Sequence, residues 1–121
     1  MQKVDGIGGL FFRAHDPAGL AAWYEQHLGI NPVPTSAEGT PWTQNAGATV
    51  FAPFPADTEY FGASDQAFMI NFRVSDLDAM IVQLKGQGVQ IASREDMDGV
   101  GRFARIHDPE GNPIELWEPV A

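Results

Sequence analysis

Glu115, Asn71 and the arginines Arg13, Arg73 and Arg105 are the residues of this sequence best suited to chemistry. An arginine fork grips a carboxylate or phosphate through two parallel hydrogen bonds. A pocket carboxylate with a raised pKa abstracts a proton beside a carbonyl. An arginine can then hold the enolate oxygen. Glu115 is the candidate base, with Arg105 or Arg73 as its partner. Phe11, Trp42, Phe51, Met69, Phe103 and Trp117 offer apolar walls, and walls with a few polar groups are the ordinary anatomy of a small-molecule site. A plainer reading stands beside this one. Glu115 and an arginine can form a buried ion pair that only neutralises the cavity. Arg13 and Arg73 can be duplicated residues with solvated tips, and Trp42 and Trp117 can be core or subunit-contact aromatics.

The histidines point elsewhere. His15 sits beside a helix start, and His27 lies in a last helical turn, where positive charge suits the dipole. His107 precedes Asp108 at a strand end and is a candidate acid–base group. There is no cysteine, so thiolate metal sites, disulfides and cysteine nucleophiles are excluded. No glycine-rich loop with a following lysine is present, and GIGG at 6–9 lies inside a strand pattern. No Gly-x-Ser-x-Gly elbow occurs.

The elements that must position these residues recur in the same order twice. Gly6–Ala14 reads as a strand. Asp16-Pro17 reads as an N-cap and first helical residue. Leu20, Tyr24 and Leu28, with Trp23 beside them, form a helical stripe that Gly29 ends. Ala48–Ala52 is the clearest strand of the stretch that follows. Residues 53–66 read as a connecting loop. Ala67–Val74 is then a strand, with Ser75 or Asp76 capping a second helix. Leu77, Met80, Ile81 and Leu84 make its apolar face, and Gly86 and Gly88 end it. Val89–Ala92, Arg102–His107 and Pro113–Trp117 read as strands, the last two joined by the turn Asp-Pro-Glu-Gly-Asn. Phe12-Arg13-Ala14-His15-Asp16 and Phe72-Arg73-Val74-Ser75-Asp76 share one pattern sixty residues apart, the mark of an internal repeat.

The expected architecture is α+β: two tandem βαβββ modules forming a curved eight-stranded sheet around a cavity. Module 1 spans about 1–56, a linker about 57–66 and module 2 about 67–121, within a single domain. Alternation places Leu10, Phe12, Ile70, Phe72, Ile114 and Leu116 under the helices. It turns Gly9, Phe11, Arg13, Met69, Asn71, Arg73, Glu115 and Trp117 toward the concavity. Trp23, Tyr24 and Met80 are core by spacing.

The stretch GRFARIHDPEGNPIELWEP, with FRVSDLDAMIVQLKGQGVQI before it, resembles the C-terminal module of the vicinal-oxygen-chelate superfamily of glyoxalase I, bleomycin-resistance proteins and extradiol dioxygenases. LFFRAHDPAGLAAWYEQHLGI resembles the N-terminal module, so the resemblance covers essentially the whole sequence. It implies three usual metal-ligand places: seven residues before each helix-capping aspartate, and the glutamate of the final strand. Here they hold Gly9, Met69 and Glu115. One carboxylate does not retain a divalent ion that needs three or more protein ligands. The expectation is therefore no metal cofactor, with Asn71 and His107 the only substitutes in view. The resemblance also implies homodimerisation.

The formal net charge of -9 disfavours nucleic acid and anionic membranes as partners. Residues 1–5 show no signal-peptide pattern, and no apolar run is long enough to span a bilayer, so the expected location is the cytoplasm. Three functions fit. The first is a metal-free protein that binds a small organic ligand, anionic or aromatic, and acts by sequestration in the bleomycin-resistance manner. The second is a glyoxalase-like lyase or isomerase that uses Glu115 as base or metal ligand. The third is a non-catalytic interaction module.

Overall fold

The computed structural model describes residues 1–63 and 65–121. Two helices and four strands follow in the order α1 (Pro17–Leu28), β1 (Ile70–Arg73), α2 (Leu77–Gly86), β2 (Ser93–Met97), β3 (Gly101–His107) and β4 (Pro113–Pro119).

Both helices start as their sequences dictate. The Asp16 carboxylate accepts from the Gly19 backbone N–H at 3.1 Å, and the Asp76 carboxylate accepts from the Ala79 N–H at 3.0 Å. The repeated FRxxD pattern is therefore a strand-end and cap signal used twice. Each start also meets a glutamate from the β3–β4 region. Glu110 accepts from the His15 and Asp16 backbone N–H groups, and Glu118 accepts from that of Leu77. Gly29 closes α1 in the left-handed region at φ 72°, which a side chain would strain.

The strands form one mixed sheet in the order β1-β4-β3-β2. β1 runs parallel to β4, and the other two pairings are antiparallel. Register explains the two faces. Ile70, Ile114 and Ile106 line up across three strands, as do Phe72, Leu116 and Ala104. Ile106, Ile114 and Leu116 are fully buried and, with Leu20, Tyr24, Leu77, Ile81 and Leu84, form the core under both helices. Each such aliphatic side chain contributes about 1.5–3 kcal/mol by leaving water. Among the described residues, no helix is long and apolar enough to cross a membrane.

The architecture is α+β, but among the described residues it holds four strands where eight are expected. Gly6–Ala14 and Ala48–Ala52 join no ladder. They lie extended, with Phe11 95% and Phe51 84% exposed and Leu10 more than half exposed. An alternating pattern marks a segment able to pair; it supplies no partner edge. From this stretch Ala14 packs against the core, and Phe12 meets Tyr24 edge-on at 6.4 Å and Phe68 tilted at 5.7 Å. Val89–Ala92 is not a strand either. Val89 and Ile91 pack against the core, and the ladder runs through the charged Ser93–Met97 instead.

Candidate functional site

The sheet face away from the helices carries the chemistry, in two rows. Register aligns Asn71, Glu115, Arg105 and Ser93 across β1, β4, β3 and β2. The next row is Arg73, Trp117, Phe103 and Glu95. Regular pleating alone puts these eight side chains on one face.

Glu115 is the centre of the first row and is only 9% exposed. Its Oε1 accepts from the Asn71 amide at 2.8 Å. Its Oε2 accepts a short hydrogen bond from the Tyr60 hydroxyl. Arg105 faces Glu115 by register, yet among the described residues no ion pair involves either one. Its guanidinium lies over the Tyr60 ring, 4.8 Å from the centroid, where the ring quadrupole attracts a cation. Its Nη2 reaches the Met69 sulfur at 3.3 Å. Tyr60 is braced in turn by Phe54, stacked at 5.6 Å, and by Phe61. Burial, and then the bond to Glu115, pushes the Tyr60 phenol above its ordinary pKa.

Phe103 and Trp117 stack at 6.2 Å with their planes 5° apart, and the Trp117 indole N–H donates to the Val100 carbonyl. Glu59, Tyr60, Glu95, Phe103, Arg105 and Glu115 surround a cavity of about 240 Å³.

Met69, Asn71, Arg73, Phe103, Arg105, Glu115 and Trp117 thus share one face, although the Arg73 guanidinium turns to the Asn45 carbonyl, to which it donates at 2.8 Å. The other residues singled out by sequence do not join them. Trp42 packs edge-on against Phe72 at 6.4 Å. Phe11, Arg13 and Phe51 lie exposed on the unpaired first half. The residue that sequence reasoning passes over is Tyr60, which sits in the stretch taken for a plain connector. The signal was there: Phe54, Tyr60 and Phe61 are three aromatics within one short loop, more than a solvated connector needs.

The residues at the family's ligand places do not fit a divalent ion. Gly9 has no donor and the Met69 sulfur meets a guanidinium, so Glu115, which accepts from Asn71 and Tyr60, is the one carboxylate among the three places. Among the described residues, no group of three histidine or carboxylate side chains could hold a metal ion. His107 stands exposed at the end of β3 and lines a different cavity.

One strand, one helix and three strands in the order β1-β4-β3-β2, with a glutamate on the last strand, define the module class of this protein. A profile of the glyoxalase-like domain matches residues 9–117, and the chain belongs to that family. No curated protein sequence matches it. Solved structures do. TnmS3, an antibiotic binding protein from Streptomyces sp. CB03234, superposes with a TM-score of 0.68 at 19% identity, covering 99% of this chain and 100% of that one. A lactoylglutathione lyase from Agrobacterium tumefaciens gives 0.65 at 17% identity, covering 97% and 96%. A glyoxylase/bleomycin resistance protein/dioxygenase domain from Frankia sp. EAN1pec gives 0.64 at 13% identity, covering 98% and 100%. At such identities the likeness speaks for the fold.

Proposed function

We propose that this protein is a metal-independent, small-molecule-binding member of the glyoxalase-like family, holding an aromatic ligand on the Glu115 face. One observation carries the reading: the family's one surviving ligand residue has both oxygens bonded to neighbouring side chains, beside a cavity that Tyr60 and Phe103 flank. TnmS3, which shares the fold, is an antibiotic binding protein, and sequestration is the activity this arrangement would support.

The charge balance narrows the ligand. Three carboxylates, Glu59, Glu95 and Glu115, face one guanidinium, Arg105. An anion would meet net repulsion there, so the ligand is a neutral or cationic aromatic rather than an anionic one. Phe103 and Tyr60, both on the lining, supply aromatic surface for it.

We also infer that a second copy completes the sheet. The extended, unpaired segments 6–14 and 48–52 would supply the missing strands of the eight-stranded cavity, making the protein a homodimer.

The test uses a matched pair of probes, 2-naphthylmethylammonium and 2-naphthoate, in thermal-shift and calorimetric titrations, with elemental analysis of the protein before and after incubation with manganese, iron, nickel and zinc. The ammonium should bind at least about tenfold more tightly than the carboxylate, a difference of about 1.4 kcal/mol. Tyr60→Ala and Glu115→Gln should each weaken it, with no stoichiometric metal present. Tighter binding of naphthoate would overturn the charge argument. Stoichiometric metal lost in Glu115→Ala would overturn the metal-free reading and move the protein to the lyase or isomerase alternative.

A further inference from the structure

A second cavity, of about 280 Å³, shares no lining residue with the Glu115 site. It opens between the C-terminal half of α1, the segment that follows α2, and the end of β3. Trp23, His27, Gln87, Gln90, Ala92 and His107 line it. The function described above uses none of them.

His27 is the unusual member. It is 7% exposed, a degree of burial that a histidine in a last helical turn does not need for the dipole interaction alone. Its Nδ1 lies 2.8 Å from the Gln87 side-chain oxygen. With the carboxamide oxygen in that position Nδ1 carries the proton, an assignment that follows the orientation of the Gln87 amide, and in the neutral ring Nε2 is then left as an acceptor. Among the described residues, no protein group bonds Nε2, yet no side-chain nitrogen or oxygen there is both sealed off and unpartnered. Nε2 therefore keeps some contact with solvent, and His27 is one of the residues that line the cavity. The Trp23 ring packs beside it at 5.1 Å, tilted by 54°, and gives the cavity an aromatic wall.

The wall is also tied together by hydrogen bonds. Tyr24 on α1 donates to Asp108 at 2.8 Å in a buried bond. Asp108 is saturated as well by the Glu110 and Asn112 backbone N–H groups and the Asn112 amide. The one carboxylate on the lining thus has no lone pair free for a cation, and its charge opposes an anion. The remaining polar groups are the His27 acceptor and the amides and imidazole of Gln87, Gln90 and His107. The volume lies just under the ~300–1,000 Å³ of drug-sized sites, so the occupant is a single ring or a small fused one.

We propose that this cavity is a second binding site, for a small neutral planar heterocycle bearing an N–H donor beside a carbonyl, with His27 Nε2 as its acceptor and Trp23 as its wall. Uracil is the probe. In ¹⁵N-labelled protein, uracil should shift the His27 Nε2 resonance and the Trp23 indole resonance saturably, with a dissociation constant on the order of 1 mM, as suits so small a ligand. The Nδ1 proton on Gln87 should be retained. Saturating 2-naphthylmethylammonium should leave these shifts in place, which separates this site from the Glu115 site whether or not that site binds as proposed. Ala92→Phe should abolish them by filling the cavity, and Gln90→Trp gives the same block from the exposed rim should Ala92→Phe fold poorly. The proposal is overturned by a proton on Nε2 rather than Nδ1 in the free protein, by absence of saturable shifts, or by shifts that persist in a folded cavity-filled variant.

Discussion

At the residue scale, the two tyrosines report on the two buried carboxylate networks. Both phenols are held above their ordinary pKa by burial first and by a carboxylate acceptor second, Tyr24 through Asp108 and Tyr60 through Glu115. A phenol whose pKa is higher folded than unfolded adds stability that is fully present below the unfolded value of about 10. That stability is lost as pH rises through the folded value. Alkaline titration followed by tyrosinate absorbance should therefore show neither tyrosine ionising at its ordinary pH while the protein is folded. Glu115→Gln should bring the Tyr60 step down and leave Tyr24 unmoved; a single unshifted step for both would refute the geometry. Tyr24→Phe removes a donor from the buried Asp108 and should cost about 1–3 kcal/mol in denaturant unfolding. The shared face of the candidate site was legible in sequence wherever a residue lay on a strand of the second half. Alternation around IEL puts Glu115 and Trp117 opposite Ile114 and Leu116, and the same parity finds Asn71, Phe103 and Arg105. Tyr60 was not legible, because a loop side chain is placed by the packing of Phe54 and Phe61 and by no period in the sequence.

At the element scale, capping and core spacing carried the reading furthest. Asp16, Gly29 and Asp76 act where their residue types and neighbours put them, and Leu77, Ile81 and Leu84 are buried along α2 as their spacing requires. Asp16→Ala and Asp76→Ala should each cost about 1 kcal/mol, and the double variant about the sum, since the caps share no partner. Leu84→Ala, at a position with no exposure, should cost about 2–5 kcal/mol. Urea midpoints of the four variants check the ordering; a cap variant more damaging than Leu84→Ala would show that the helix ends hold tertiary structure beyond their own turn. Strand β2 departs from the expected Val89–Ala92 for a physical reason. Val89 and Ile91 look like a strand because they are apolar and β-branched, and they are spent on the helix-side core. The ladder is built from Arg94, Glu95 and Asp96, an exposed charged edge whose composition carries no strand signal. Such charges also discourage edge-to-edge association there, which directs any pairing between copies to other parts of the chain.

At the scale of the whole molecule, the two halves are unequal. The second half closes a sheet, while the first contributes α1 to the common core and leaves segments 6–14 and 48–52 unpaired, with Ile7, Leu10, Phe11, Val50 and Phe51 exposed. Backbone N–H and C=O groups in these segments can be satisfied by water, but the apolar side chains cannot, and leaving several of them exposed forgoes about 1.5–3 kcal/mol each. The FRxxD repeat gives a self-consistent way to recover that energy. A first half built on the same plan as the second would pair its segments as β1 and its neighbours do once a second copy is present. The inferred homodimer then makes a sharp prediction. Light scattering should give twice the chain mass at micromolar concentration, and the value should change little with salt, because the recovered surface is apolar rather than ionic. Phe11→Asp combined with Phe51→Asp should return the mass to that of one chain while the Leu84 core and the Tyr24–Asp108 bond stay intact, as read from the tyrosine titration. Naphthylmethylammonium binding separates the two roles of the second copy: lost with the dimer, the cavity needs strands from both copies; retained, the Glu115 face of a single chain suffices. A wild-type protein that stays monomeric up to millimolar concentration would refute the exchange and leave these segments a surface with some other partner.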